Sequence, residues 1–341
     1  MNSGEGDMVE FAVLDLVPVS EGKTPADALR NARDLAQHVE RWGYKRYWVA
    51  EHHNMVGIAS AATSVVIGYI AGNTSTIRVG AGGIMLPNHA PMIIAEQFGT
   101  LESLYPGRID LGLGRAPGTD RQTSVALRRD ASAADHFPQD VVELQTLLGP
   151  VKPGQTIQAV PGAGLNVPLW ILGSSLFGAQ LAAMLGLPYA FASHFAPDAL
   201  FQALHVYRTQ FEPSTQTAQS YAMAGVNVIV AATDAEAHRL FSSVQQRFTD
   251  MFRGDRGYLK PPIDDIEMYW SPAEKAQASR MLSCSFVGSP KTVQAQLQAF
   301  IAKTGIDELM VSSAIYDHES RLRSYQLLAD IQLDGAAQSA A

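Results

Sequence analysis

The chain has 341 residues, of which 47% are hydrophobic, and a formal net charge of −8 at pH 7. Its scattered lysines and arginines argue against a nucleic-acid surface, and no basic amphipathic tract indicates a membrane surface. The single cysteine, Cys284, excludes an intrachain disulfide, and residues 1–10 lack the basic start and apolar core of a signal peptide, so we expect a cytoplasmic protein.

Strand-like and helix-like segments alternate along the chain. The predicted strands cover 11–17, 47–50, 77–85, 108–114, 168–172, 189–192, 221–230 and 308–311. The predicted helices cover 24–43, 60–71, 91–104, 138–148, a segment from Ser175 to Leu185, 234–252, 290–303 and 318–331. The first helix carries the clearest signals, because Thr24 and Pro25 form a typical start and Gly43 a typical end.

Eight apolar strands separated by helices predict a (β/α)8 TIM barrel formed by one domain over 1–341. A doubly wound open sheet is the alternative, but no Gly-x-Gly-x-x-Gly turn follows the first strand. Residues 253–283 form a predicted insertion between strands seven and eight, as a mobile lid or as a fixed surface excursion. Residues 1–8 and 334–341 are expected to be flexible.

The second predicted strand ends in Glu51, His52 and His53. Ligands of parallel α/β proteins gather at the carboxyl ends of the strands, so these titratable residues mark a candidate site. Three interpretations are open: a metal site, one wall of an organic-cofactor pocket, and structural packing. Alternation along a strand points His52 and His53 to opposite faces, and no His-x-His or His-Glu-x-x-His motif occurs, which disfavours the metal.

Gly173, Ser174 and Ser175 lie between a predicted strand and a predicted helix. Open backbone N–H groups, two hydroxyls and the positive end of the helix dipole together suit a phosphate-sized anion. An ordinary turn with a helix cap is the structural alternative.

Two further motifs end or interrupt neighbouring strands. Arg115 follows the fourth strand, where a guanidinium can clamp a phosphate or form a surface ion pair. The glycines of the third strand, Gly80, Gly82 and Gly83, indicate either close approach of a ligand to the backbone or tight helix packing. Taken with the serines, these residues favour a flat, phosphorylated cofactor over a metal ion.

The chain resembles the bacterial luciferase-like flavin-dependent monooxygenases, in particular their single-chain members. The resemblance rests on WVAEHHN (48–54), RVGAGGIMLP (78–87), PGRIDLGLGR (106–115) and WILGSS (170–175), and on the later segments SHFAP (193–197), VGSP (287–290) and ELMVS (308–312). It extends over 11–328.

The resemblance implies that reduced FMN binds as a co-substrate at the carboxyl ends of the strands. Its phosphate would lie against Gly173, Ser174, Ser175 and Arg115. Luciferase carries a glutamate at the position of Gly173, so only backbone contacts are expected from that residue.

The resemblance also implies where the flavin ring lies. A non-prolyl cis peptide bond, frequent in the family, would fall at Gly82–Gly83 beneath the ring. His52 corresponds to the family histidine beside the flavin and is the expected catalytic residue, with Glu51 and His53 orienting the strand end.

The activity implied is an FMN-dependent monooxygenase that oxygenates a small organic substrate with O2. A separate NAD(P)H-dependent flavin reductase would supply the reduced FMN, and the protein would form a homodimer through helices beside strands two and three. Gly114 replaces a luciferase cysteine, so no thiol chemistry is expected. Together with the change at Gly173, it argues against a long-chain aldehyde substrate and against light emission. The alternatives are a deazaflavin-dependent dehydrogenase on the same barrel and a non-catalytic flavin-binding protein.

Overall fold

The computed structural model describes residues 8–116, 120–129 and 132–335. The terminal segments predicted to be flexible lie mostly outside the described residues. Where they are described, Met8 forms an antiparallel bridge with Asp334.

The described residues contain nine strands, all of which pair in parallel. They are β1 (Glu10–Asp15), β2 (Arg46–Val49), β3 (Arg78–Met85), β4 (Ile109–Gly114), β5 (Leu169–Gly173), β6 (Tyr189–Phe191), β7 (Ala222–Val230), β8 (Ser285–Gly288) and β9 (Glu308–Ser312). Strands β1 to β7 pair in sequence order, and β9 pairs with both β7 and β1. This arrangement closes an eight-stranded barrel and confirms the predicted (β/α)8 fold.

The short strand β8 lies outside the closed circle and was not predicted. It pairs with the second half of β7, Asn227–Val230, whereas β9 pairs with the first half. β8 has only four residues and ends next to Ser289, the N-cap of the following helix. A segment this short, placed directly before a helix, carries no recognisable strand pattern.

Eleven α-helices lie among the described residues. They are α1 (Pro25–Arg41), α2 (Thr63–Ala71), α3 (Pro91–Leu104), α4 (Arg121–Ala126), α5 (Phe137–Leu148), α6 (Leu176–Leu185), α7 (Leu200–Thr209), α8 (Asp234–Phe252), α9 (Pro272–Met281), α10 (Pro290–Thr304) and α11 (His318–Ala329). The predicted start of α1 is confirmed, because Thr24 and Asp27 form a capping box. Helices α4, α7 and α9 were not predicted. None of the described helices is long and apolar enough to cross a membrane.

Two layers of side chains fill the barrel below the site. Arg46 donates to Glu308 at 2.7 Å and to Asp110 at 2.8 Å, forming a buried ionic layer. Two residues further along β2, Trp48 packs edge-on against Trp170, with ring centroids 5.1 Å apart. Burial opposes the charge of Arg46, yet the two carboxylates raise the pKa of Arg46 above its usual range. The aromatic layer forms the floor on which the cavity at the carboxyl ends of the strands rests.

The predicted insertion 253–283 consists of a loop, a short 3₁₀ helix (Ile266–Met268) and α9. It is fastened to α8: Asp250 accepts from Tyr269 at 2.6 Å and pairs with Lys260 at 2.8 Å. The backbone N–H of Leu259 also donates to Val19. These contacts favour the fixed excursion over a lid that moves as one body. The single domain over 1–341 stays a prediction.

Candidate functional site

A cavity of about 570 Å³ lies at the carboxyl ends of the barrel strands. It brings together every site residue predicted from the sequence: His52, Gly82, Gly83, Arg115, Gly173, Ser174 and Ser175. These residues belong to the ends of β2, β3, β4 and β5, which are consecutive neighbours in the barrel. Their proximity therefore follows from the strand order, as expected for ligand sites on this fold.

Glu51 is buried beside the cavity and accepts hydrogen bonds from several groups. Its carboxylate lies 2.7 Å from Nε2 of His53 and 2.9 Å from Nε2 of His89, and it accepts from the backbone N–H of Met85 at 2.9 Å. Burial alone would raise the pKa of Glu51, but these hydrogen bonds lower it below its usual value. The result is a fixed carboxylate that ties the end of β2 to the end of β3.

His52 follows Glu51 and lines the cavity. Its Nδ1 atom is buried with no hydrogen-bond partner of acceptable geometry in the described part of the chain. Burial and the positive charge of Arg247 lower the pKa of His52 from 6.5 to about 4. The ring is therefore neutral at pH 7, with one nitrogen able to accept a proton.

A second histidine, His194, lines the same cavity after β6. Its Nδ1 atom is also buried without a described partner, and burial followed by the charge of His52 lowers its pKa to about 4. Gly225 on β7 makes room for this ring, since a Cβ there would lie 2.4 Å from Nδ1 of His194. The site thus holds two neutral imidazoles.

A polar corner of the cavity has the chemistry of an anion site. The guanidinium of Arg115 is exposed and stacks 4.1 Å from the ring centroid of Phe177. Ser174 and Ser175 are exposed, and Ser175 stands at the N-cap of α6 without a side-chain capping bond. A cation, two hydroxyls and a helix N-terminus are thus all free to contact a phosphate.

The glycines of β3 form the wall beside this corner. The Gly82–Gly83 peptide bond is cis, which confirms the expectation from the resemblance. A Cβ at Gly82 would lie 2.8 Å from Leu14, and one at Gly83 would lie 2.7 Å from the carbonyl oxygen of Gly112. At Gly83 the obstacle is backbone, so no side chain larger than hydrogen fits there, and a flat ring can approach the bare backbone at the cavity.

Two cavity residues that could bind a ligand or transfer a proton were not predicted from the sequence. His194 appeared only within the segment SHFAP (193–197) that carries the resemblance, and Arg247 was not singled out. The signal that could have identified Arg247 is its place as a single cation in an apolar stripe of α8. Val244 lies three residues before it, and Phe248 and Met251 lie one and four residues after it.

A metal site finds no support in the geometry of the described residues. Within 8–116, 120–129 and 132–335, no three His, Cys, Asp or Glu side chains are arranged to hold an ion. The polar corner, the bare glycine wall and the neutral imidazoles fit a flat, phosphorylated cofactor of the flavin type better, since they match a phosphate, a flat ring and its reactive edge.

Comparison with known proteins agrees with this geometry. The family model of luciferase-like monooxygenases matches residues 9–308. A luciferase-like monooxygenase of Escherichia coli (strain K12) is 53% identical over 325 residues, covering 95% of this chain and 97% of that protein. The crystal structure of apo-MsnO8 is 38% identical, covers 95% of this chain and 98% of its own, and superposes with a TM-score of 0.87.

More distant structures share the fold and differ in cofactor. The oxygenating constituent of 3,6-diketocamphane monooxygenase from Pseudomonas putida, in complex with FMN, is 19% identical with a TM-score of 0.71 and covers 95% of this chain and 97% of that one. An F420-dependent secondary alcohol dehydrogenase is 16% identical with a TM-score of 0.68 and covers 94% and 98%. The fold is therefore shared by proteins that use a flavin and by proteins that use a deazaflavin. By its family model and its relatives, the chain belongs to the luciferase-like monooxygenases.

Proposed function

We propose that the protein is an FMN-dependent monooxygenase that uses O2 to oxygenate a small organic substrate. The observation that carries the proposal is the order of groups around the cavity rim. A neutral imidazole follows β2, a bare glycine wall lies in β3, a guanidinium follows β4 and two free hydroxyls follow β5. This order matches the order of groups along a flavin, from its reactive edge to its phosphate.

In this proposal Arg115, Ser174 and Ser175 hold the phosphate, and the backbone of Gly82 and Gly83 supports the ring. Bound reduced FMN supplies the electrons that activate O2 for insertion into the substrate. His52, neutral at pH 7, holds or accepts a proton at Nδ1 or Nε2 beside the reacting atoms. The apolar cavity floor excludes water from the reaction.

Two partners belong to the proposal. A separate NAD(P)H-dependent flavin reductase delivers reduced FMN. A second copy of the chain binds to α2 and α3, where Val65 is 70% exposed and Ile93 is 47% exposed. Apolar side chains of this size exposed on neighbouring helices suit a homodimer interface. The cytoplasmic location stays a prediction.

The second candidate is a deazaflavin-dependent dehydrogenase, which the fold shared with the F420-dependent enzyme keeps open. The two are separated by titrating the protein with FMN and with F420 and following ligand fluorescence. We expect saturable quenching of FMN at micromolar concentration or below, and weaker binding of F420. Binding of F420 alone would replace the proposal with the dehydrogenase.

A third possibility is a flavin-binding protein without catalysis. The test is to reduce the FMN complex anaerobically, mix it with O2 and compare its reoxidation with that of free reduced FMN. We expect the protein to change the rate of reoxidation. An identical rate, with FMN tightly bound, would favour the non-catalytic function.

A further inference from the structure

One face of α8 forms part of the cavity wall. Val244, Phe248 and Met251 line the cavity from this helix, and the spacing of three and four residues places them on one stripe. Arg247 lies within the same stripe and also lines the cavity. A single guanidinium thus interrupts an otherwise apolar surface.

The side chain of Arg247 is half-buried and has no compensating partner in the described part of the chain. Within residues 8–116, 120–129 and 132–335, its guanidinium forms no ion pair and no hydrogen bond, and partial burial lowers its pKa. Other charges at the cavity are accounted for: Arg321 pairs with Asp15 at 2.8 Å, and Asp250 pairs with Lys260. Arg115 and Arg256 are exposed to solvent, which can screen them. A half-buried guanidinium without an ionic partner is costly, so its position on the cavity wall favours an anionic ligand.

The phosphate of FMN is an unsuitable partner for Arg247. The polar corner with Arg115 follows β4, and Ser174 follows β5, whereas Arg247 lies on the helix after β7. The positive charge of Arg247 instead acts on His52, at the far side of the glycine wall from that corner. Arg247 therefore faces the part of the cavity that the proposed function leaves to the substrate.

We propose that Arg247 recognises a carboxylate of the substrate, and that the substrate is accordingly a small organic acid with an apolar body. The fork of the guanidinium would bind the carboxylate through two parallel hydrogen bonds. The apolar body would lie along Phe248 and Met251, on the same helix face. This inference rests on the proposed function, because it assumes that the flavin occupies the strand ends β2 to β5.

The test is calorimetric titration with a matched pair of probes, 4-phenylbutanoate and 4-phenylbutanamide, with and without saturating FMN. We expect the wild-type protein to bind the acid about tenfold more tightly than the amide, since a charge-assisted pair is lost in the amide. Arg247→Gln should remove this preference and Arg247→Lys should retain part of it. Arg256→Gln, which changes an exposed arginine at the same cavity, should keep the preference within about threefold.

Three results would overturn the inference. They are no preference for the acid in the wild type, an unchanged preference in Arg247→Gln, and a loss of FMN affinity in that variant, which would assign Arg247 to the flavin.

Thermal unfolding gives an independent readout. A substrate-recognising Arg247 leaves an unpaired charge in the free protein, so Arg247→Met should raise the midpoint, whereas a structural role would lower it. Failure of the wild type to bind FMN would instead refute the proposed function, and the acid preference without FMN would still be measured.

Discussion

Nε2 of His89 lies 2.9 Å from each carboxylate oxygen of Glu51. The two residues follow different strands, and their contact joins the end of β2 to the turn after β3. Since His52 follows Glu51 directly and Gly83 belongs to β3, this contact fixes the imidazole relative to the glycine wall. The contact therefore supports the part of the site where His52 faces the glycines proposed to carry the flavin ring.

Removing the carboxylate of Glu51 should destabilise the protein. We expect Glu51→Ala to lower the free energy of unfolding by about 3 kcal/mol, because one buried and several partly buried donors lose their acceptor. Glu51→Gln should cost less, since one amide oxygen remains. Urea denaturation measures both, with Glu319→Gln, an exposed acid on α11, as a control expected within about 0.5 kcal/mol of wild type. Equal stability of wild type and Glu51→Ala would show that the carboxylate does not hold the strand ends.

Stability should fall as the pH drops from 6.5 towards 4. The folded protein keeps His52 and His194 neutral because their pKa values are lowered to about 4, while the unfolded chain protonates both below about 6.5. The unfolded state then binds more protons, so acid favours unfolding across this interval, at a cost of roughly 3 kcal/mol for each ring.

The contribution of one ring is isolated by His194→Gln. This variant should lose about half of the pH-dependent change between 6.5 and 4, measured as urea unfolding free energies at several pH values. His205→Gln replaces an exposed histidine on α7 and should leave the slope unchanged. A slope identical in His194→Gln and wild type would contradict the assignment of a neutral buried ring.

The glycine wall should tolerate no side chain. Gly83→Ala would place a Cβ 2.7 Å from the carbonyl oxygen of Gly112, so β3 and β4 must separate. We expect a loss of about 2 kcal/mol or more in unfolding free energy and weaker FMN binding. For the unfolding free energy, Gly173→Ala is the matched control, because its Cβ would meet nothing closer than 3.5 Å. An equal loss of stability in the two variants would contradict the close approach of the β3 and β4 backbones at Gly83.

His52 should influence the reaction of bound reduced FMN with O2 without governing FMN affinity. We expect His52→Ala to change the reoxidation rate by about tenfold or more, the scale of one lost hydrogen bond at the reacting group, and to leave the FMN Kd within about threefold. Stopped-flow absorbance measures the rate, with the exposed His205→Ala as control. An unchanged rate in His52→Ala would take His52 out of the mechanism.

Most of the barrel could be predicted because its strands are continuous apolar runs and its helices carry caps. The boundaries of α3 and α8 agree residue for residue, at Pro91–Leu104 and Asp234–Phe252. The predicted site residues lie at the carboxyl ends of neighbouring strands, so their position around one cavity could also be predicted. Arg247 could not be found in this way because it lies within a helix. The contact of Glu51 with His89 depends on how two loops meet, which the sequence does not indicate. Strand β8 was too short to show a period.

The proposed function depends most on the polar corner of Arg115, Ser174 and Ser175, which we propose binds the phosphate of FMN. The most direct measurement compares the Kd values of FMN and riboflavin, by fluorescence quenching, in the wild type and in Arg115→Gln. We expect the wild type to prefer FMN by about tenfold or more, and Arg115→Gln to lose most of this preference. Arg323→Gln, which replaces an exposed arginine on α11, should keep it. Equal affinity of the wild type for FMN and riboflavin would show that this corner does not bind the phosphate.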